Sequence, residues 1–416
     1  MRQPGVLIII ENLPAPFDRR VWMEACTLRD AGYQVSIICP MGKGYTSRFE
    51  SIEDIEIHRY PQSIEASGAL GYLAEYGTAL FWDLVLAVKI ALGRGFDVVQ
   101  ACNPPDLIFL AALPFKLLGK KFIFDHHDLC PELYEAKFAT RGAFYRMLRL
   151  FERLTFWAAD VSIATNESYK AVAIGRGGMD PAKVFVVRSG PERSAWSPQP
   201  GVEQWRNGRK HMVGYLGVMG EQEGIDLLIE AIGLIVRRHG RQDIQFVLVG
   251  DGTERRNLEA QVERDGLGDY VHFTGRIGDA ELIEALSSAD VLVNPDRPSE
   301  LNDKSTMNKI VEYMAMAKPI VQFEMKEGRF SAMDASLYAR GGDVADFAGR
   351  IMELVDDPER RAAMGAAGRA RFEAALCWEH QRPTLLAAYA RALGRKAVAA
   401  APVPAGLDPD LAAGAD

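Results

Sequence analysis

Residues 6–39, VLIIIENLPAPFDRRVWMEACTLRDAGYQVSIIC, decide the fold. A continuous apolar run, VLIII (6–10), gives way to a polar turn with two prolines. The segment RRVWMEACTLRDAG then carries apolar residues at helical spacing and meets Gly32 where a C-cap glycine belongs. A second apolar run, QVSIIC (34–39), follows at once. Runs without polar alternation mark strands buried on both faces. Strand, helix and strand in this order form the βαβ unit of a parallel sheet.

The same grammar continues outward. DVVQA (97–101), KFIFDH (121–126), DVSIAT (160–165) and KVFVV (183–187) are further buried-strand runs. The pattern then restarts with HMVGYLG (211–217), IQFVLVG (244–250), VHFTG (271–275), DVLVNP (290–295) and PIVQF (319–323). Between the two sets, SGPERSAWSPQPGVEQWRNGRK lacks periodicity and holds three prolines. The expectation is an α/β chain of two Rossmann-like domains, 1–190 and 211–371, facing across a cleft and joined by a linker at 191–210. A helix over 372–395 closes the second domain or crosses back to the first, with Trp378, Leu385, Ala388 and Tyr389 as its contacts. An Ala/Pro-rich tail, 396–416, is expected to be disordered.

Composition narrows the function. The 416 residues are 48% hydrophobic and 25% charged, with a net charge of −8. That balance argues against a general nucleic-acid binder. The five cysteines, at 26, 39, 102, 130 and 377, are scattered and show no CxxC. Disulfides and zinc are therefore not expected, which fits a reducing cytosol. No apolar run reaches the ~20 residues of a bilayer span. The longest, ALFWDLVLAVKIAL, is broken by Asp83 and Lys89. The N-terminus enters a strand with no cleavage-like site, unlike a signal peptide.

Five stretches carry candidate chemistry. In GYLGVMGEQEGIDLLIEA a strand ends near Tyr215, glycines fall at 214, 217 and 220, and a helix begins near Ile225. Glycines there admit a phosphate to backbone amides, and the helix N-terminus adds positive potential. A tight turn without ligand is the alternative. The dinucleotide fingerprint GxGxxG is absent.

In NDKSTMNKIVEYMAMAKP (302–319), Glu312 stands inside an apolar helix whose start is crowded by Lys304, Ser305, Asn308 and Lys309. Ser305 reads as the N-cap. At ~1.5 Å per residue, Ser305 and Glu312 stand about 10 Å apart, near the span from a distal phosphate to a ribose. Asn308 shares the face of Glu312, while Ile310, Val311 and Met314 face elsewhere. The alternative is a surface pair of Glu312 with Lys309 or Lys304.

HHDLCPELY (126–134) follows a strand end, where side chains face the ligand crevice. His127 suits proton transfer or hydroxyl binding; a histidine satisfied by Asp128 in a turn is the alternative. Adjacent histidines after a strand point opposite ways, which disfavours a metal. In NLPAPFDRRVWMEA (12–25), Arg19 and Arg20 either face an anion or are first-turn solvent charges. Finally, KFATRGAFYRMLRLFERLTFWAAD (137–160) sets Lys137, Arg141, Arg146, Arg149 and Arg153 among aromatic and aliphatic residues. It reads as a basic amphipathic helix for an anionic membrane or as an ordinary packing helix.

These motifs, in this order, resemble the family 4 retaining glycosyltransferases of the GT-B fold, and most of all bacterial members that build surface polysaccharides. The resemblance rests on FDRRVWMEACTLRDAGYQVSIICP, DHHDLCPELY, YLGVMGEQEGIDLLIEAI, FVLVGDG, VHFTGRI, ADVLVNP and NKIVEYMAMAKPIV, and covers the chain to about Leu393. It implies an acceptor-side first domain and a nucleotide-sugar-binding second domain. Glu312 would hold the ribose hydroxyls, and the backbone at Arg276 and Ile277 would flank the base. Gly217, Gly220 and the 305–309 helix start would cradle the diphosphate. His127, with Asp128 beside it, would be the catalytic site that touches the transferred sugar. The resemblance implies no metal and no cofactor beyond the co-substrate.

Two positions depart from the family pattern. Lys304 stands where a first glutamate, seven residues before the second, is usual. Glu223 precedes Gly224 where a lysine is common. Lys304 or Lys309, with Arg19 or Arg20, is the expected replacement for the lost cation. The implied function is hexose transfer from a UDP-sugar, or a GDP-sugar, to a lipid-linked or polysaccharide-precursor acceptor. The enzyme would sit in the cytoplasm, at the inner face of the membrane, through 137–157. A non-catalytic relative that binds a glycan or partner, and an epimerase on the same fold, are the competing readings.

Overall fold

The computed structural model describes residues 3–61 and 69–395. The tail expected over 396–416 lies outside the described residues. The chain divides into two compact units, one reaching to Arg188 and resuming at Gln381, the other running Ser189–His380.

The first unit holds β1 (Gly5–Ile9), α1 (Arg19–Asp30), β2 (Gln34–Pro40), β3 (Phe49–Ile52), β4 (Ile55–Tyr60), α2 (Ala69–Leu92), β5 (Val98–Cys102) and α3 (Phe109–Leu117). It continues with β6 (Lys121–His126), α4 (Cys130–Phe138), α5 (Ala143–Ala158), β7 (Val161–Ala164), α6 (Glu167–Gly175) and β8 (Val184–Val186). The strands form one sheet in the order β3-β4-β2-β1-β5-β6-β7-β8, parallel except for β3. Its apolar runs are buried along their length, as continuous hydrophobicity demands. Helix α1 ends as read: Gly32 takes φ +85°, and the Tyr33 amide donates to the Leu28 carbonyl at 3.0 Å.

The second unit holds β9 (His211–Leu216), α7 (Ile225–Gly233), β10 (Ile244–Val249), α8 (Arg255–Arg264), β11 (Val271–Gly275), α9 (Asp279–Ser288) and β12 (Val291–Asn294). Then follow α10 (Glu300–Lys304), α11 (Asn308–Ala315), β13 (Ile320–Phe323), α12 (Lys326–Ala332), β14 (Ser336–Ala339), α13 (Val344–Asp356) and α14 (Pro358–Arg371). The sheet is wholly parallel, ordered β11-β10-β9-β12-β13-β14. Helix α15 (Trp378–Ala392) begins in this unit and, from Gln381, belongs to the first. Trp378, Leu385, Ala388 and Tyr389 are fully buried on it.

Three strands escaped the pattern reading. β3 and β4 form a hairpin whose turn residues, Glu53 and Asp54, both take positive φ, as a two-residue hairpin requires. The segment FESIEDIEIHRY alternates charge with apolar residues because β3 is an edge strand open to solvent. β14 is a four-residue edge strand with only its ends buried. The stretch 191–210 is packed onto the second unit. Trp196 and Trp205 are buried in its core, and the Val202 amide donates to Ser288 Oγ at 2.8 Å.

Candidate functional site

In an open parallel sheet the ligand crevice opens beyond the carboxyl ends of the strands where strand order reverses. In the second unit that point lies between β9 and β12, and in the first between β1 and β5.

Beyond β9 the chain runs through Gly217 and Gly220 and enters α7 at Ile225, as read. The turn is shaped from beneath. Tyr215 Oη donates to the Val218 carbonyl at 2.9 Å, and the Leu216 amide donates to Tyr313 Oη at 2.8 Å. A Cβ at Gly217 would stand 2.5 Å from the Tyr215 hydroxyl and 3.2 Å from Lys309 Cε, so the bare backbone lies directly on the lysine. Gly224 takes φ +62°, and a Cβ there would collide with the Pro295 carbonyl at 2.1 Å. The turn is thereby pressed against the segment that follows β12. Val218, 62% exposed, is the second unit's one exposed large apolar side chain among the described residues.

Lys309 does not pair with Glu312. Its ammonium is buried and donates to Glu223 Oε2 at 2.6 Å and to Asp296 Oδ1 at 2.8 Å, and it lies 5.1 Å from the Tyr215 ring centroid. Burial pushes the Asp296 carboxyl up to about 7; Lys309 opposes that shift and the neighbouring Glu223 adds to it. The lysine is held well above its ordinary range because these carboxylates outweigh the cost of burial. The sequence reading missed Asp296, although a carboxylate two residues past a buried strand was its visible signal.

Ser305 is not the N-cap of the Glu312 helix. It follows the short α10 and its hydroxyl donates to the Leu301 carbonyl at 2.8 Å; α11 starts at Asn308 after Met307. The 10 Å helical span from Ser305 to Glu312 therefore does not exist as one helix. The reason is local: the Ser305 hydroxyl closes a turn backward and leaves 305–307 extended. Within α11, Asn308 is exposed and Glu312 half-buried, while Ile310, Val311 and Met314 are in the core. Lys304 donates to Glu300 Oε1 at 2.7 Å, one turn back on α10. Arg276 and Ile277 lie in the loop beyond β11, at the carboxyl edge of the sheet.

In the first unit, Arg20 is no solvent charge. It is 9% exposed, and its Nη2 meets Asp125 Oδ1 at 3.0 Å and Glu24 Oε1 at 3.2 Å. Its Nε reaches His127 Nε2 at 3.0 Å, and its Nη1 donates to the Val187 carbonyl at 2.8 Å. Arg19 is exposed. The partner of His127 is Asp125 and not Asp128: Nε2 lies 2.8 Å from Asp125 Oδ2. That nitrogen accepts from Arg20 when the ring is neutral and donates to Asp125 when it is protonated. Burial opposes the charge on His127, but Asp125 prevails and raises its pKa. Nδ1 makes no hydrogen bond among the described residues.

Further residues hold this arrangement. Asn103 Oδ1 accepts from the amides of His127 at 2.7 Å and Asp128 at 3.2 Å, which fixes the turn after β6. Gln100 donates to Asp125 Oδ2 at 2.9 Å and to Glu24 Oε2 at 2.6 Å, and Tyr389 on α15 donates to Gln100 Oε1. Two buried carboxylates share one guanidinium, so they divide their roles. Asp125 stays ionised, held low by Arg20 and His127 against the cost of burial; burial and Asp125 push Glu24 up to about 8. Asp125, Glu24 and Gln100 were readable as polar residues inside apolar runs, which must find partners. Burial also raises Asp128.

As expected of adjacent residues, His126 turns the other way. It is fully buried among Phe124, Phe156 and Tyr169, and burial lowers it to about 3. Cys102, Asp125 and His127 lie close enough to share an ion. Their chemistry does not suit one. The thiol is held protonated by burial, and the Arg20 cation already faces both Asp125 and His127.

Helix α5 presents Arg146, Arg149, Leu150, Arg153 and Trp157 to solvent along one face. Trp157 is 73% and Leu150 52% exposed. Among the described residues, no hydrogen bond or ion pair engages the three guanidinium groups. α2 adds an exposed apolar stripe, Phe81, Val85, Val88 and Leu92. No described helix is long and apolar enough to cross a membrane.

The two α/β units thus place these residues at the crevices where open parallel sheets take their ligands. The chain belongs to the family 4 type of group 1 glycosyl transferases: residues 18–190 match the glycosyl transferase 4-like domain and 210–357 match glycosyl transferases group 1. It is 28% identical over 187 residues to a 2-deoxystreptamine glucosyltransferase of Streptomyces kanamyceticus, covering 44% of this chain and 46% of that protein. It is 32% identical over 164 residues to a GDP-mannose-dependent monoacylated phosphatidylinositol monomannoside mannosyltransferase of Corynebacterium glutamicum, covering 38% and 41%. The chain thus matches less than half the length of these curated relatives. In fold it resembles the sucrose-phosphate synthase of Thermosynechococcus elongatus (TM-score 0.74, 19% identity, 94% and 100% covered). It also resembles Anabaena HepE solved with UDP (TM-score 0.69, 14% identity, 93% and 99% covered).

Proposed function

We propose that the protein is a retaining glycosyltransferase that moves a hexose from a nucleoside diphosphate sugar to a lipid-linked or polysaccharide-precursor acceptor. The carrying observation is the glycine turn 217–224 laid over the buried Lys309 at the β9–β12 switch point. The bare backbone at Gly220, the start of α7 and one cation suit a diphosphate, while the Gly217 amide donates to the Val249 carbonyl and holds the turn to the sheet. Glu312 would accept hydrogen bonds from the ribose diol, with the Arg276–Ile277 backbone beside the base. UDP is the favoured nucleotide, as in the HepE complex; the mannosyltransferase relative makes GDP the alternative.

In the first unit His127 would hydrogen-bond the transferred hexose through Nδ1, its ring held by Asp125, Arg20 and the Asn103 clasp. The acceptor hydroxyl would attack the face the leaving group vacates, and fixed positive groups would offset the diphosphate's charge in place of a metal. Asp128, pushed up by burial, would accept or return a proton beside it.

We place the protein at the inner face of the cytoplasmic membrane through 137–157. Each arginine near an anionic surface contributes about 1 kcal/mol, and Trp157, Leu150 and the α2 stripe add apolar contact.

The second reading, a non-catalytic glycan or partner binder, draws on one observation: Glu223 and Asp296 already occupy the Lys309 ammonium. Release of UDP from UDP-sugars, measured with and without a lipid-linked saccharide, separates the two. Acceptor-dependent release supports the transferase; no turnover with any UDP- or GDP-sugar favours the binder; donor conversion without acceptor points to an epimerase.

A further inference from the structure

The glycine turn and the buried lysine beneath it contain a competitor for the ligand they would bind. Lys309 has three N–H donors: one goes to Glu223 and one to Asp296, and the ammonium nitrogen lies 5.1 Å from the Tyr215 ring centroid. A diphosphate settling on Gly217 would meet two carboxylates and a cation they already share. Unchanged, the cluster would repel it. One of the carboxylates must give way.

The two are not equivalent. Asp296 is 1% exposed and receives the Asn294 amide, which in its hydrogen-bonding orientation donates to both carboxylate oxygens at 3.0 and 2.9 Å. It has nowhere to go. Glu223 is 17% exposed in its side chain, ends the short Glu221–Glu223 turn, and is followed by Gly224 in a left-handed conformation. It also receives a long bond from Tyr215 Oη at 3.5 Å and lies within hydrogen-bonding reach of Asp296. A rotation of the Glu223 side chain toward solvent would break its contacts with Lys309, Asp296 and Tyr215 and leave Asp296 in place.

We propose that Glu223 is a built-in stand-in for the donor phosphate: it holds Lys309 in the empty site and is displaced when a nucleoside diphosphate arrives. Asp296 remains and keeps the lysine aimed at the turn. The site thus carries its cation on α11, and the glutamate before Gly224 sets how tightly the donor is held. This rests on the donor-binding reading of the same turn.

The test is calorimetric titration of UDP and of GDP into the full chain and into Glu223→Gln and Glu223→Ala, with a melting curve for each ligand-free protein. Removing a half-buried competing pair is expected to tighten nucleotide binding about 3- to 10-fold while the ligand-free melting temperature falls or holds. Glu223→Ala keeps the test open if the amide forms a new bond to Lys309. Equal or weaker binding in both variants, with the wild type binding, overturns the stand-in role and leaves the donor reading intact. No binding of either nucleotide by any of the three proteins overturns the donor reading, and the inference with it.

Discussion

Arg20 Nη2 lies 3.0 Å from Asp125 Oδ1, and the carboxylate is wholly buried inside the first unit. Every other group at that site takes its state from this pair. Asp125 stays charged because of the guanidinium, His127 is raised because Asp125 is charged, and Glu24 is pushed toward its neutral form by burial and by the Asp125 charge, against the pull of Arg20. Arg20→Ala leaves a buried carboxylate without its cation. The first unit is expected to lose about 3–5 kcal/mol, as broken buried pairs do. Denaturant unfolding followed by probes in each unit checks this; a loss under 1 kcal/mol would contradict it.

His127 is read as contacting the transferred sugar, while the nucleotide is read as held by the second unit. His127→Ala should lower turnover roughly 10²- to 10⁴-fold, the range of a positioned acid–base or hydrogen-bonding group. UDP affinity by calorimetry should stay within twofold. Asp125→Asn should shift the acidic limb of the rate profile to lower pH, because the group that raises His127 is gone. A profile that does not move would separate Asp125 from the chemistry.

Glu312→Gln should weaken UDP about 10- to 100-fold, since hydrogen bonds to a charged group carry about 1.5–3 kcal/mol. Lys304→Ala removes a one-turn pair with the exposed Glu300 on α10 and leaves the buried Lys309 in place, so UDP affinity should hold. Relative kcat/KM across a panel of UDP-sugars should change instead, because Lys304 stands at the sugar-touching position of the family pattern. Loss of UDP binding in Lys304→Ala would put the lysine on the diphosphate.

Glu24 makes stability depend on pH. Its folded pKa, about 8, lies above the ordinary carboxylate value of 4.5. The folded state therefore holds the proton more tightly. The resulting stability is complete below pH 4.5, shrinks as pH rises, and is gone above about 8. Glu24→Gln cannot ionise and should show a flatter melting temperature from pH 5 to 9. Its advantage over the wild type should grow toward pH 9, at about 2–4 °C per kcal/mol. Parallel curves for the two proteins would refute the assignment.

Replacing Arg146, Arg149 and Arg153 with Gln removes three cations from the exposed face of α5. Binding to vesicles rich in anionic lipid should fall by more than tenfold, at about 1 kcal/mol per charge. Trp157→Ala should weaken binding to anionic and neutral vesicles alike. Unchanged sedimentation with vesicles would return α5 to the role of a packing helix.

Much of this was legible in the linear chain. Buried parallel strands cannot alternate polar and apolar residues, so VLIII, QVSIIC and KFIFDH declared themselves. Glycine is favoured where φ is positive, as at Gly32, and has no substitute where backbone meets backbone, as at Gly224 against the Pro295 carbonyl, so the end of α1 and the 217–224 turn were legible. The β3–β4 hairpin was not, because an edge strand open to water needs no apolar face. The Ser305 cap failed because a hydroxyl can close a turn backward as readily as it caps a helix forward. What the sequence alone determined is the two-sheet α/β plan and the stations along it, since burial on both faces is a property of each segment by itself. Which charge meets which was decided only by the tertiary structure. Arg20 and Asp125 are 105 residues apart, and Lys309 and Glu223 are 86 apart. Coulomb energy depends on distance through space, and only the folded sheets set that distance.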